Sequence, residues 1–364
     1  MNLFEFYKGK KVLVTGHTGF KGSWMCKVLT MAGAEVTGYA LGAPTNPALF
    51  DKADIKSGIL HIEGDVRDLN SLNRVFEQVQ PEIVIHMAAQ PLVRYSYENP
   101  VETYETNVIG TVNLLECVRL TESVRSVVNV TTDKVYLNRE REEGYREDEV
   151  LNGYDPYSNS KSCSELVTSS YINSFFNEQN IIGRKLAVST MRAGNVIGGG
   201  DFAKDRIIPD CIRAVTSGKE IEVRNPYSIR PYQHVLEPVM AYLMVAAQQY
   251  DNRQLAGSYN VGPDDNGCLT TGKLVELFCT YWKEHGNEAG WKNISEKDAP
   301  HEAGLLKLDC AKIKMTFGWK PVWKPDETMN KIVEWTLADI NGEDIGKEME
   351  SEILNYIKES SILH

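Results

Sequence analysis

The chain has 364 residues, 42% hydrophobic and 24% charged, with 39 Lys and Arg against 50 Asp and Glu for a net charge of −11. That length suits about two domains, and the composition excludes wholesale disorder. The negative balance excludes a global field that would draw in nucleic acid or anionic lipid, so an anionic ligand must be held by local groups.

In chain order, Lys11–Thr15 (KVLVT) reads as a first strand and runs directly into Gly16-His17-Thr18-Gly19-Phe20-Lys21-Gly22 and a helical pattern over residues 20–32. In such a strand-turn-helix the first glycine permits the tight turn, the second lets backbone approach a pyrophosphate, and the third lets helix pack on strand. N–H groups at the helix start do the binding. Glu35–Ala40 is the second strand, and the following Leu41-Gly42-Ala43 offers neither the acid expected on an adenosine ribose nor an arginine for a 2′-phosphate. That leaves NAD against NADP open on this evidence. Ile59–Glu63 ends in Gly64-Asp65-Val66, where Asp65 either bonds an adenine amino group or belongs to a helix N-cap region beside Asp68.

A helix over 69–79, a strand over Glu82–His86, a helix over 100–120 and a strand over Ser126–Thr131 continue the alternation. Thr132 stands at the end of that strand, where open α/β sheets place ligands. The charge run Arg139–Glu149 reads as a solvated loop, with a substrate lid as the lesser alternative. A helix over 155–178, opened by Asp155-Pro156, carries Tyr157 and Lys161 four apart and therefore on one face. A nearby ammonium lowers a phenol toward the working range and makes Tyr157 a candidate general base. Ala187–Arg192 is the sixth strand. Beyond Gly194 the alternation breaks, with helices predicted near 206–217, 236–249, 271–284 and 325–341.

Apolar runs such as VLV and IVI call for cover on both faces. The expected fold is therefore α/β, a doubly wound parallel sheet (Rossmann-type) with a smaller C-terminal substrate-binding lobe. Residues 1–194 are assigned to the dinucleotide-binding domain with the catalytic residues, and 195–364 mainly to the lobe, with interleaved boundaries. The seven cysteines are odd in number, with Cys268 and Cys279 the nearest pair, which fits buried thiols and not a disulfide or CxxC zinc framework; no metal is expected. Met1–Lys10 lacks an unbroken apolar stretch, and the longest apolar run, Val239–Ala247, is well short of the roughly 18 residues of a membrane span. A cytoplasmic protein without membrane or nucleic-acid partners is expected.

The glycine cradle with Thr132, Tyr157 and Lys161 resembles the extended short-chain dehydrogenase/reductase family. So do His86-Met87-Ala88-Ala89, Asn107-Val108-Ile109-Gly110-Thr111 and Arg192-Ala193-Gly194-Asn195-Val196-Ile197-Gly198. Within it the chain is similar to the nucleotide-sugar 4,6-dehydratases, above all the branch acting on CDP-glucose. That likeness is carried by His17–Trp24, Thr132-Asp133-Lys134, Gly199–Ala203, Asp205–Pro209 and Arg230–Val235.

The resemblance implies bound NAD, held by the cradle with Asp65, Val66, Ala88, Asn107, Tyr157 and Lys161. It implies oxidation of the sugar at C4, loss of water across C5 and C6, and hydride return to C6, in the service of deoxysugar and O-antigen synthesis. Tyr157, with Thr132 and Lys161, would take the 4-hydroxyl proton, and Asp133 would protonate the departing 6-hydroxyl. Lys134 stands where the dTDP-glucose branch has a glutamate for C5 proton removal. It would act as a neutral amine or stabilise the enolate, unless it lies outward. Asn195, Arg206, Arg230 and Arg192 are the candidates for substrate diphosphate and nucleotide, although Arg192 could only brace its strand; His234 is read as a structural partner of the same loop. A homodimer or higher homo-oligomer through the helices at 100–120 and 155–178 is expected, as is partial NAD occupancy on purification. The competing readings are another nucleotide-sugar dehydratase, a 4-epimerase, and a silent dinucleotide-binding sensor.

Overall fold

A computed structural model describes residues 2–177, 180, 184, 186–264, 267–295 and 305–360; the last residue of the helix predicted over 155–178 lies outside them. Seven parallel strands form one sheet. They are β1 (Lys11–Thr15), β2 (Glu35–Ala40), β3 (Leu60–Glu63), β4 (Ile83–His86), β5 (Ser126–Val130), β6 (Ala187–Ala193) and β7 (Ser258–Val261). Their order across the sheet is β7-β6-β5-β4-β1-β2-β3. Strand order reverses between β1 and β4, which opens a crevice at their carboxyl ends. All six predicted strands form, each within one residue of its expected bounds.

Alternate side chains on each strand serve two cores. Val12, Val14, Ile83, Ile85, Val128 and Val130 face a core with helices α1 (Phe20–Met31) and α5 (Leu236–Asp251). Leu13, Val84 and Val127 face the other, with α2 (Leu69–Val79) and α3 (Gly110–Leu120), while α4 (Pro156–Ser174) packs on α3. Period-2 alternation in a sheet buried on both sides explains why the strands read as unbroken apolar runs. The apolar run Val239–Ala247 lies in α5, buried along its whole length against β5 and β6. Among the described residues no helix is long and apolar enough to cross a membrane.

The helix expected over 100–120 is interrupted. Pro100–Tyr104 gives way to a π-turn at Glu105–Ile109 before α3 begins. The lobe has its own core, built from Ile207–Thr216, α6 (Thr271–Glu284) and α7 (Pro325–Ile340) around Phe278, Trp282, Ile332 and Val333. The chain nevertheless returns to the sheet with α5 and β7. The last helix, α8 (Ile345–Glu359), packs on α1.

Two buried carboxylates tie lobe to sheet. Glu237 on α5 accepts the backbone N–H groups of Val322 and Trp323 and the Tyr356 hydroxyl. Glu352 on α8 lies 2.7 Å from His234 Nε2. Trp24 on α1 donates its indole N–H to the Gly199 carbonyl at 3.1 Å, and a Cβ at Gly199 would sit 2.1 Å from the Trp335 ring. That glycine is pinned between two indoles.

The charge run Arg139–Glu149 is not simply solvated. Tyr145 is buried and stacks on Tyr136; its carbonyl accepts from Asn260 and Asp309, and Arg141 pairs with Glu149. Tyr145 thus anchors the run, while Arg139, Glu140, Glu142, Glu143, Arg146 and Asp148 remain exposed.

Candidate active site

The cradle residues fit a dinucleotide. Gly16 has φ +73°, and a Cβ there would meet the Ala88 backbone nitrogen at 2.6 Å; a Cβ on Gly22 would lie 2.2 Å from the Gly16 carbonyl oxygen. A Cβ on Gly19, by contrast, would find only that carbonyl at 3.5 Å, so its open side is the side from which a pyrophosphate would approach. Gly19 is the N-cap of α1 and caps it with no side chain, leaving the first N–H groups of the helix for an anion. Thr18 bonds the Leu41 carbonyl, and Phe20 packs beside Gly198.

Around the cradle, Ala88 N donates to Thr15 Oγ1, which also bonds His86 Nδ1 at 2.7 Å. Burial lowers the His86 imidazole to about 3, so it is neutral. Asp68, not Asp65, caps α2. The Asp65 carboxylate is held by the Arg67 guanidinium at 2.6 and 2.8 Å and by its N–H at 2.9 Å. These contacts outweigh partial burial and keep the carboxyl below its usual range. The buried Val66 side chain packs against Gly110. Asn107, in the π-turn, donates to the Gln90 carbonyl and Ser160 Oγ and accepts the Gln90 N–H. It therefore shapes the floor beyond β4 through Gln90.

The reaction centre lies at the end of β5. The N-cap Asp155 accepts from Ser158, Pro156 opens α4, and Tyr157 and Lys161 follow, both buried. Thr132 adjoins the Tyr157 phenol and draws its titration down. Thr132 also donates to Asp133 Oδ1 at 2.9 Å, while Asp133 Oδ2 is buried without a partner. Lys134 turns inward, with Nζ 3.3 Å from Asn195 Oδ1 and 3.6 Å from Asp133 Oδ1, which removes the outward reading.

The expected effect of Lys161 on Tyr157 is not what the geometry gives. Lys161 Nζ donates to the Val130 carbonyl at 3.1 Å. Burial pushes the Tyr157 phenol up to about 12, against the lowering pull of Thr132 and Arg206. Burial also lowers Lys161 to about 8, opposed by Glu165. Lys21 reaches the same electrostatic neighbourhood. Burial, then Lys161 and Arg206, pull it down to about 7.

Of the candidate substrate contacts, Arg230 is 7% exposed; it bonds the Ile229 carbonyl and has no carboxylate partner among the described residues. A buried guanidinium in that state is a receptor for an anion. Arg206 bonds Asp201 at 3.1 Å and remains one-third exposed.

Two candidates are not brought to the cleft. Arg192 is buried and fully engaged with Glu165, the Tyr136 hydroxyl and the Glu147 carbonyl, so it braces the sheet. His234 accepts the Leu236 N–H at Nδ1, faces Glu352 with Nε2 and is packed between Trp24 and Trp323. Sequence reasoning passed over Glu165, although its place four residues beyond Lys161 was the available signal.

The family model described as GDP-mannose 4,6 dehydratase matches residues 13–332. The chain is 49% identical to CDP-glucose 4,6-dehydratase of Salmonella typhimurium over 97% of its own length and 98% of that protein's. It is 26% identical to dTDP-glucose 4,6-dehydratase of Xanthomonas campestris over 90% and 93%. Among solved structures it is similar to UDP-glucose 4-epimerase of Thermotoga maritima (TM-score 0.75, 22% identity, covering 90% of this chain and 99% of that one). It is also similar to dTDP-glucose 4,6-dehydratase of Bacillus anthracis in complex with NAD (TM-score 0.74, 20% identity, 93% and 100%). These two likenesses bear on the fold.

Proposed function

Because the chain belongs to the GDP-mannose 4,6 dehydratase family, we propose that it is a lyase converting CDP-glucose to CDP-4-keto-6-deoxyglucose and water. The observation that carries this reading is near-full-length identity of 49% to a CDP-glucose 4,6-dehydratase. Asp133 and Lys134 add to it by lying together beside Tyr157, because simple C4 epimerisation needs no acid at C6.

NAD is the cofactor; the backbone of Gly16–Gly22 and the first turn of α1 would hold it, with Asp65 to receive the adenine and Tyr157 and Lys161 to face the reacting end. Bound there, it supplies a hydride acceptor for C4 and a hydride donor for C6. Tyr157, fixed by Thr132, takes the 4-hydroxyl proton. The resulting 4-ketone acidifies the C5 proton, and Lys134 either removes that proton or holds the enolate charge. Asp133 hands a proton to the departing 6-hydroxyl through Oδ2, the oxygen for which the protein provides no partner. Arg230, Arg206 and Asn195 receive the diphosphate and nucleotide.

The protein acts in the cytoplasm as a homodimer or higher homo-oligomer. Exposed Val101, Tyr104, Ile109 and Leu166 on the paired helices at Pro100–Ile109 and α4 support this assembly.

The test is incubation in deuterated water with CDP-, UDP- or dTDP-glucose, with and without NAD, followed by NMR and mass analysis of each sugar. Dehydration confined to CDP-glucose with one deuterium at C5 is expected. A C4-inverted sugar without water loss would make it an epimerase, and NAD binding without any turnover a silent sensor.

A further inference from the structure

Glu165 lies one helical turn beyond Lys161, where its side chain is buried between α4 and the sheet. Its carboxylate receives Thr131 Oγ1 at 2.5 Å, Thr190 Oγ1 at 2.6 Å, and Arg192 Nε and Nη2 at 2.9 Å each. Thr131 immediately precedes Thr132 and Asp133, while Thr190 and Arg192 belong to β6. One carboxylate thus joins the helix bearing Tyr157 and Lys161 to the strand end bearing Thr132 and Asp133. Arg192 extends the link to Tyr136, whose hydroxyl donates to Asn260 on β7 at 2.6 Å. Buried carboxylates with a full set of charge-assisted partners fix the register between elements.

We propose that Glu165 is a positioning residue for the oxidation at C4: its carboxylate locks α4, and with it Tyr157 and Lys161, onto the end of β5, and places a negative charge one helical turn from the Lys161 ammonium. This rests on the roles of Tyr157 and Lys161 given above. The other groups facing Lys161 are His86 on β4, Lys21 on α1, Tyr157 on its own helix and the Val130 carbonyl. His86 is neutral and Lys21 is a like charge, so neither can replace Glu165. Removing the carboxylate makes the Lys161 ammonium harder to keep, so the midpoint of its titration must fall.

The experiment follows Lys161 by NMR in full-length protein carrying 13C-labelled lysine, its signal assigned with K161R, alongside the pH profile of kcat. In E165Q the Lys161 midpoint and the alkaline limb of kcat should both move down by about one pH unit, and E165D should bring both most of the way back. Because E165Q leaves Arg192 buried without its counter-charge, E165D carries the measurement if E165Q does not fold, with a Lys161 midpoint a fraction of a pH unit below wild type; an unshifted E165D would then overturn the proposal. A folded variant lacking the carboxylate whose Lys161 titrates as in wild type would overturn the proposal. The titration needs no substrate. Wild-type protein that fails to dehydrate CDP-glucose while E165Q still shifts Lys161 would count against the function, and leave this electrostatic role standing.

Discussion

The Tyr356 hydroxyl donates to Glu237 Oε2 at 2.7 Å, joining the last helix to the first turn of α5. Burial is the largest influence on Glu237 and raises its carboxyl to about 7. The folded chain therefore holds this proton more tightly than the unfolded chain, whose glutamate titrates near 4.5. The stabilisation is fully present below that lower value and is lost as pH rises through about 7. Its size is on the order of 3 kcal/mol. Urea unfolding between pH 4 and pH 8 should show this loss, and E237Q should flatten the slope; an unchanged slope would sink the assignment.

Asp133→Asn keeps the shape of the residue but removes the proton donor at the oxygen that has no protein partner. Dehydration should fall by about 10²- to 10⁴-fold, with little change in melting temperature. Oxidation at C4 does not need this proton, so reduced nicotinamide should build up, seen by absorbance during a single turnover. Normal product formation would remove Asp133 from the mechanism.

Arg230→Met should separate stability from affinity. A buried guanidinium without a carboxylate partner among the described residues costs the fold energy that the diphosphate offsets on binding. The variant is expected to be more stable by about 1 kcal/mol, about one degree in melting temperature, and to raise KM for CDP-glucose by about 10- to 100-fold. Lower stability with unchanged KM would show that Arg230 braces the lobe.

Gly22→Ala places a methyl group 2.2 Å from the Gly16 carbonyl. Backbone there cannot yield without opening the cradle, so NAD affinity measured by calorimetry should drop by at least about tenfold. Binding at wild-type affinity would show that this turn does not hold the cofactor.

Val101→Glu with Leu166→Glu puts charge on the exposed apolar helix pair. Sedimentation should change from dimer to monomer, while thermal stability at high dilution stays the same. A wild-type chain that already sediments as a monomer would dispose of the homodimer.

The sheet was legible because a strand covered on both faces has to be apolar through its middle, as VLV of β1 and IVI of β4 are. β7 was not. It is short, with Ser258 and Asn260 in its four residues, and Asn260 is buried because it serves Tyr136, Tyr145 and Asp309, partners distant in sequence. The π-turn escaped notice because apolar spacing continues through it, and only the bond from the Gly110 N–H to the Glu105 carbonyl, five residues back, reveals the extra residue. Tyr157, Lys161, Thr132 and Asp133 could be found by motif and strand-end logic. For Arg192 the sequence left substrate contact and strand brace both open, because nothing local announces that its counter-charge lies on a different element, at Glu165.

The hydrogen bond from the Trp24 indole to Gly199 has a mechanical consequence. The helix that begins at the cradle and the turn that leads into the lobe are riveted together from inside, with Trp335 behind. A hinge that swung the lobe away would have to expose this indole and break its bond. Entry of the sugar nucleotide is therefore left to local movement at the rim, such as release of Arg206 from Asp201. A ligand bound between cradle and lobe would therefore meet walls whose spacing is set by this internal bond.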